Sequence, residues 1–292
     1  MLEISTEKDF TPSGDPVLSS VLGHCLNVRK LSIDHKVRYT TVHPCLVLAL
    51  PGFTQLEALH IMGGEDYLFF SPNELSVHDH LLNSVLDHHS SRLRYLSVSC
   101  LESLHPSTFC RVRDTTTHLR EIDFTRSIGE QLHSVLAEPQ RWACADHLQH
   151  IRLVCCRGVH AAIFSIQLAA GVFGHPRTVC LAICGNNSDP EDLPRAPKWT
   201  IPRLELLELD YFLPWEMRYL GQIHAEVVRM DRTWTYGCEL LVEVLKDAAM
   251  FPGVRVLQVA DTWEEEHLGD LKEACLSRGI KAVELVRFDQ YD

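Results

Sequence analysis

The stretch IPRLELLELDYFLP, residues 201–214, places Leu204, Leu207 and Leu209 in the order apolar, two variable residues, apolar, one variable residue, apolar. The last two leucines are two apart. In an extended chain they point to one side while Glu208 between them points to the other. Working outward, the same six-residue pattern recurs as Val28, Leu31, Ile33; Leu56, Leu59, Ile61; Leu93, Leu96, Val98; Leu119, Ile122, Phe124; and Leu148, Ile151, Leu153. Thr178, Leu181, Ile183 and Ala225, Val228, Met230 are weaker copies, and Val254, Leu257, Val259 with Ile280, Val283, Leu285 close the series.

From Leu31 to Val283 the middle anchors are separated by 28, 37, 26, 29, 30, 26, 21, 29 and 26 residues, a mean of 28. One short strand cannot bury its apolar side alone. A set of them, stacked coil on coil, buries a continuous core and pairs as a parallel sheet. Between strands the apolar residues shift to helical spacing. Leu240, Leu241, Val244, Leu245 and Ala248 form one stripe, Leu268, Leu271 and Cys275 another, and Leu82, Val85, Leu86 and Leu132, Val135, Leu136 shorter ones. Gly279 and Pro252-Gly253 stand where such helices end. The expected fold is α/β, a curved solenoid with parallel strands on its concave face and helices or loops on its convex face. Residues 1–20 read as a polar, frayed lead-in, and 21–292 as a single domain of about ten irregular repeats. Two stretches break the period. Residues 63–74 lengthen one step, and 185–202, with four prolines and no helical stripe, read as a loop replacing a helix. The short step to Ala225 implies a connection reduced to a turn.

This pattern resembles the leucine-rich-repeat family, whose period is about 20–29 residues. The family places Asn or Cys three residues after the last strand anchor. Cys156 and Asn186 stand in that position, Ser127, Thr233 and Thr262 fill it with other small hydrogen-bonding residues, and Lys36, Gly64, Leu101, Phe212 and Phe288 depart from it. The irregular copies, the Pro-rich interruption and the closing segment LKEACLSRGIKAVELVRF are most similar to the C-terminal repeat region of fungal F-box proteins. That resemblance implies a protein-binding, non-enzymatic substrate receptor of a cullin-type ubiquitin ligase. No F-box segment is visible before Val28, so the ligase adaptor is expected as a partner only where the full gene product carries one. The alternative is a free-standing repeat scaffold without ligase coupling.

Composition narrows the classes. The chain has 27 Lys and Arg against 39 Asp and Glu, a formal charge of −12, which disfavours polyanions such as nucleic acid or an anionic membrane. No apolar run reaches the ~20 residues of a bilayer span, and the first residues lack the form of a secretory signal. Eleven scattered cysteines, an odd number, read as free thiols of a cytoplasmic or nuclear protein. A monomer is expected.

The candidate binding residues are those that alternate with the anchors and face outward on the concave side: Tyr95, Glu121, Asp123, His150, Arg152, Glu208, Asp210, Arg229, Asp231, Gln258 and Glu284. The C-terminal end, with Glu208, Asp210, Asp231 and Glu284, suits a protein partner bearing basic residues. No catalytic, cofactor or metal residues are expected. GxSxG, HExxH, GxxxxGK[ST] and GxGxxG are absent. Cys180 and Cys184 share a strand face but lie about 13 Å apart, too far to hold one zinc. His78-Asp79-His80 and Asp87-His88-His89 read as a polar helix face, Glu264–Glu266 as a helix start, and Trp199, Trp215, Trp234 and Trp263 as loop anchors.

Overall fold

The computed structural model describes residues 1–6, 16–35, 44–63, 76–99, 104–128, 132, 135, 140–156, 159–182, 199, 201–210, 214–230, 237–247, 249–260 and 265–286. They fall into two compact units, Met1–Leu148 and Gln149–Asp292. In the first unit, strands β1 (Leu2–Thr6), β2 (Lys30–His35), β3 (Ala58–Gly63), β4 (Tyr95–Ser99) and β5 (Glu121–Thr125) lie side by side in chain order, and every pairing is parallel. In the second unit, β6 (His150–Val154), β7 (Thr178–Ala182), β8 (Leu204–Asp210), β9 (Ala225–Met230), β10 (Val256–Ala260) and β11 (Ala282–Val286) do the same.

Most of the connections are helical, while residues 140–149 before β6 form turns. In the first unit the helices are α1 (Pro16–His24), α2 (Pro44–Ala49) with a 3-10 turn (Leu50–Gly52), α3 (Val77–His89) and α4 (Pro106–Thr115). In the second they are α5 (Ala161–Ala169), α6 (Pro214–Leu220), α7 (Gly237–Lys246) and α8 (Glu265–Ser277). Each helix packs on the next in chain order, α1 on α2, α3 on α4, α5 on α6 and α7 on α8. Both units are therefore α/β with a parallel sheet. No described helix is long and apolar enough to cross a membrane.

Register explains the period. Leu31, Leu59, Leu96 and Ile122 are lateral neighbours across β2–β5, and each is at most 2% exposed. Each such leucine hides its side chain under the next strand's equivalent residue and under a helix, about 1.5–3 kcal/mol of apolar burial per side chain. The helical stripes follow: Leu82, Val85 and Leu86 in α3, and Leu268, Leu271 and Cys275 in α8, are buried, as are Leu241 and Leu245 in α7. Gly253 and Gly279 take positive φ, 82° and 72°, as the turns before β10 and β11 demand.

Four expectations change. Residues 2–6 are not a frayed lead-in but a strand in register with β2, Leu2 opposite Leu31. The sixth copy is displaced by two residues. Val179, not Leu181, lies between Ile151 and Leu207, so the copy is Pro176, Val179, Leu181 and both flanking steps are 28 residues. Threonine at 178 conceals this, because it is as acceptable an anchor as proline in a pattern search. The connection before Ala225 is the seven-residue helix α6 rather than a turn. Finally, α3 is not a polar face throughout. Asp79 is 1% exposed and caps α3: its Oδ2 accepts from the Ser76 amide at 2.9 Å, while Ser76 Oγ accepts from the Asp79 amide at 3.1 Å. Its Oδ1 accepts from the His105 amide at the start of α4, at 2.9 Å, tying two helix starts together. His89, 2% exposed, donates from Nε2 to the Leu50 carbonyl at 2.7 Å. The loop at 185–202 lies outside the described residues except for 199, 201 and 202, as do residues 64–75 and most of the Leu132–Leu136 stretch, of which Leu132 is buried.

The position three residues after the last anchor has a structural role where it is described. Ser127 is fully buried. Its Oγ is bonded to the Val98 carbonyl on the neighbouring strand and lies 2.9 Å from the Thr125 carbonyl. Cys156 Sγ reaches the Val154 carbonyl at 3.4 Å. The residue before each, Arg126 (φ 58°) and Cys155 (φ 53°), is left-handed, which costs a non-glycine residue about 1–3 kcal/mol. The chain leaves both strands by the same turn. With the corrected register, the equivalent residue of the sixth copy is Cys184 rather than Asn186, both outside the described residues.

Two predictions follow from these buried polar groups. Ser127→Ala removes the proton that serves two carbonyls and is expected to cost about 1–3 kcal/mol in urea unfolding, with an unchanged slope. Burial holds the His89 pKa below its usual value, helped by the charges of His88 and Arg92 and opposed by the Leu50 hydrogen bond. The unfolded chain then takes up the proton first, so stability is greatest above about pH 6.5 and falls as pH drops toward the lowered native value. His89→Gln, which keeps a donor, should lose less stability than the wild type between about pH 7.5 and 5.5.

Candidate protein-binding face

Residues alternating with the buried anchors stand on the side of each sheet away from the helices. In the first unit they form the rows Lys30, Ala58, Tyr95, Glu121 and Ser32, His60, Ser97, Asp123, one residue per strand. A shallow depression of about 430 Å³ lies over them, lined also by Glu3 and Met62. Tyr95 is 40% exposed, Glu121 is exposed and Asp123 half-buried, so all three lie on this face.

The second unit carries Arg152, Cys180, Glu208, Arg229, Gln258 and Glu284 in one lateral row across β6–β11. From Cys180 to Glu284 the side chains are joined. Cys180 Sγ donates to Glu208 Oε1 at 3.4 Å, and Arg229 Nη1 donates to Glu208 Oε2 at 3.1 Å. Arg229 Nε donates to Gln258 Oε1 at 2.8 Å, and Gln258 Nε2 donates to Glu284 Oε2 at 2.9 Å. Parallel register makes this possible, because it brings equivalent residues of neighbouring strands within about 5 Å. His150 sits in the adjacent row, its Nδ1 2.7 Å from Thr178 Oγ1. The row alternates in sign, Arg152, Glu208, Arg229, Glu284, so its formal charge cancels.

The expected acidic end is therefore not gathered as four open carboxylates. Asp210, the last residue of β8, is 2% exposed. Glu208 is engaged by Arg229, with side-chain exposures of 15% and 30%. Glu284 is exposed, and Asp231 lies outside the described residues. Periodicity reports which side of a strand a residue takes. It is silent on whether that position is covered, as Asp210 is. Cys180, which the sequence already places on this face, joins this row only in the corrected register, where it is the residue just before the last anchor Leu181.

The described thiols form no cluster. Cys144 is pushed up to about 12 and Cys275 to about 11 by burial, so both stay protonated and inert in the core. Cys184 lies outside the described residues, so its pairing with Cys180 is not seen. Among the described residues no group of three or more His, Cys, Asp or Glu side chains could hold a metal ion. His224 stacks on Trp199, ring centroids 5.0 Å apart, and burial lowers its pKa. Trp215 lies within α6, and Trp234 and Trp263 lie outside the described residues. Helix α8 begins at Glu265, inside the acidic run.

No protein-family model matches the chain, and no curated protein matches it.

Because Arg229 holds two neighbours at once, a double-mutant cycle with Arg229→Met and Glu208→Gln should return a coupling of about 1 kcal/mol in urea unfolding, and additive effects would show the row to be incidental.

Proposed function

We propose that the chain is a non-enzymatic protein-recognition module of leucine-rich-repeat type, working in the cytoplasm or nucleus as, or descended from, a substrate receptor of a cullin-type ubiquitin ligase. The observation that carries the recognition role is the open sheet face: one residue per strand in lateral rows, polar and aromatic, with neighbours holding one another in fixed orientations. Such a face loses little side-chain freedom when a partner docks, because its rotamers are already restricted.

The ligase role rests on the likeness of the repeats to fungal F-box proteins. A free-standing scaffold is the second reading, and one observation favours it. Within this chain, residues 2–6 are already a strand paired with β2, and Pro16–His24 is a helix packed on α2, so both segments serve the repeat fold.

The test is proximity labelling with the intact gene product, compared with a Tyr95→Ala, Glu121→Lys variant of the first unit and a Gln258→Ala, Glu284→Lys variant of the second. A partner present with the wild type and lost with one variant is the expected result, with the ligase adaptor retained in both. Identical labelling in all three would overturn the face as a binding site. An adaptor absent throughout would remove the ligase role and leave the scaffold.

A further inference from the structure

The residues two before the middle anchor of each strand from β2 to β11, just before the strand or at its start, are a second lateral series, at the edge of the sheet rather than on its face. By register it comprises Arg29, Glu57, Arg94 and Arg120 in the first unit, and Gln149, Arg177, Glu205, Glu226, Arg255 and Lys281 in the second. The two units use it differently. In the second, the arginines are matched: Arg177 pairs with Glu205 at 2.7 Å, and Glu226 takes Arg255 at 3.1 Å and Arg203 at 3.3 Å. In the first, three arginines of the row meet the single carboxylate of Glu57, and Arg92 brings a fourth guanidinium to the same edge.

These residues line an open depression of about 470 Å³ together with His118 and His147, whose ring centroids are 5.0 Å apart. Arg29 and Arg92 are held by neutral acceptors, Arg29 Nε by Gln55 Oε1 at 3.3 Å and Arg92 Nη1 by the Thr54 carbonyl, so their positions are set while their charges stay unbalanced. The Arg94 and Arg120 side chains are exposed and make no hydrogen bond or ion pair among the described residues. Four guanidiniums against one carboxylate is a local excess of positive charge in a chain whose formal charge is −12. Like charges held together at an edge repel, and nothing in the packing of the described residues requires them there.

We propose that this edge of the first unit is a binding site for an acidic peptide segment, its carboxylates taken by Arg94 and Arg120 with Arg29 and Arg92 flanking them. Guanidinium forks match carboxylates two bonds at a time, and arginine sheds water more readily than lysine does. Four strand positions at ~4.8 Å spacing span about 14 Å, the reach of some four to five residues of extended chain. A short peptide fits that span. A long polyanion would have to run on over a protein of net negative charge, and beyond a screening length of about 8 Å it gains nothing from these four arginines. This site is separate from the open face, so neither proposal depends on the other.

The experiment is fluorescence anisotropy of a labelled hexaglutamate peptide on the full chain at low ionic strength, with hexalysine as the control probe. Hexaglutamate should bind and hexalysine should not. Arg94→Glu with Arg120→Glu should weaken binding by about tenfold or more, while Lys281→Glu, the same charge change at the edge of the second unit, should alter it by less than about twofold. The Tyr95→Ala, Glu121→Lys variant should bind hexaglutamate at least as well as the wild type. Circular dichroism checks that the variants are folded, and Arg94→Gln with Arg120→Gln replaces the first pair if they are not. Absence of hexaglutamate binding, or equal weakening by Lys281→Glu, overturns the site. Displacement of the peptide by inorganic phosphate at equal concentration makes it a small-anion site and overturns the peptide assignment. So does tighter binding of an oligothymidylate of matched charge.

Discussion

The apolar anchors of most described strands are covered by the equivalent residues of the neighbouring strands, and the remaining features follow from that dependence. Leu31, Leu59, Leu96 and Ile122 are hidden because they lie beside one another, not because any one coil forms a core of its own. At β11, whose one described pairing is with β10, the cover fails. In β11, Val283 is half-buried and Leu285 is 53% exposed, although both stand at anchor positions. The same lateral stacking that buries the anchors lines up everything between and before them. One parallel register therefore yields an apolar layer, an open polar face and a charged edge.

Much of this could be read from the residues. Three anchors at fixed spacing are enough to call a strand and its buried side, and helical stripes such as Leu82, Val85, Leu86 identify what packs against it. The reading slipped where a position is judged by residue type alone. Thr178 passed for an anchor because the true one is Pro176, and the two-residue error carried through to the turn residue, assigned to Asn186 in place of Cys184. Asp79 and His89 were placed on a polar surface because charged residues usually stand there. Their burial depends on partners 26 and 39 residues away, the His105 amide and the Leu50 carbonyl, which no local pattern can reveal.

Of the candidate binding residues, those next to well-formed anchors were placed on the correct side of the sheet. What remained illegible was how they treat one another. Glu208 looked like an open acid until Arg229 was seen to occupy it, and Asp210 looked like its companion until the end of β8 was seen to be covered. Side-chain alternation has a period of two within a strand, but ion pairing acts between strands about 28 residues apart, and that depends on register rather than on neighbours in sequence. The arginine edge was missed for the same reason. Arg29, Arg94 and Arg120 are unremarkable singly and become a cluster only when the strands are laid side by side.

The joined row from Cys180 to Glu284 also bears on how such a surface can change over generations. Exchange of one member leaves its neighbour's donor or acceptor without a match, so a solitary replacement disturbs the residues on both sides of it. Change on this side of the second unit would then arrive through compensated pairs drawn from successive strands, whereas Tyr95, 40% exposed in the first unit, can drift alone.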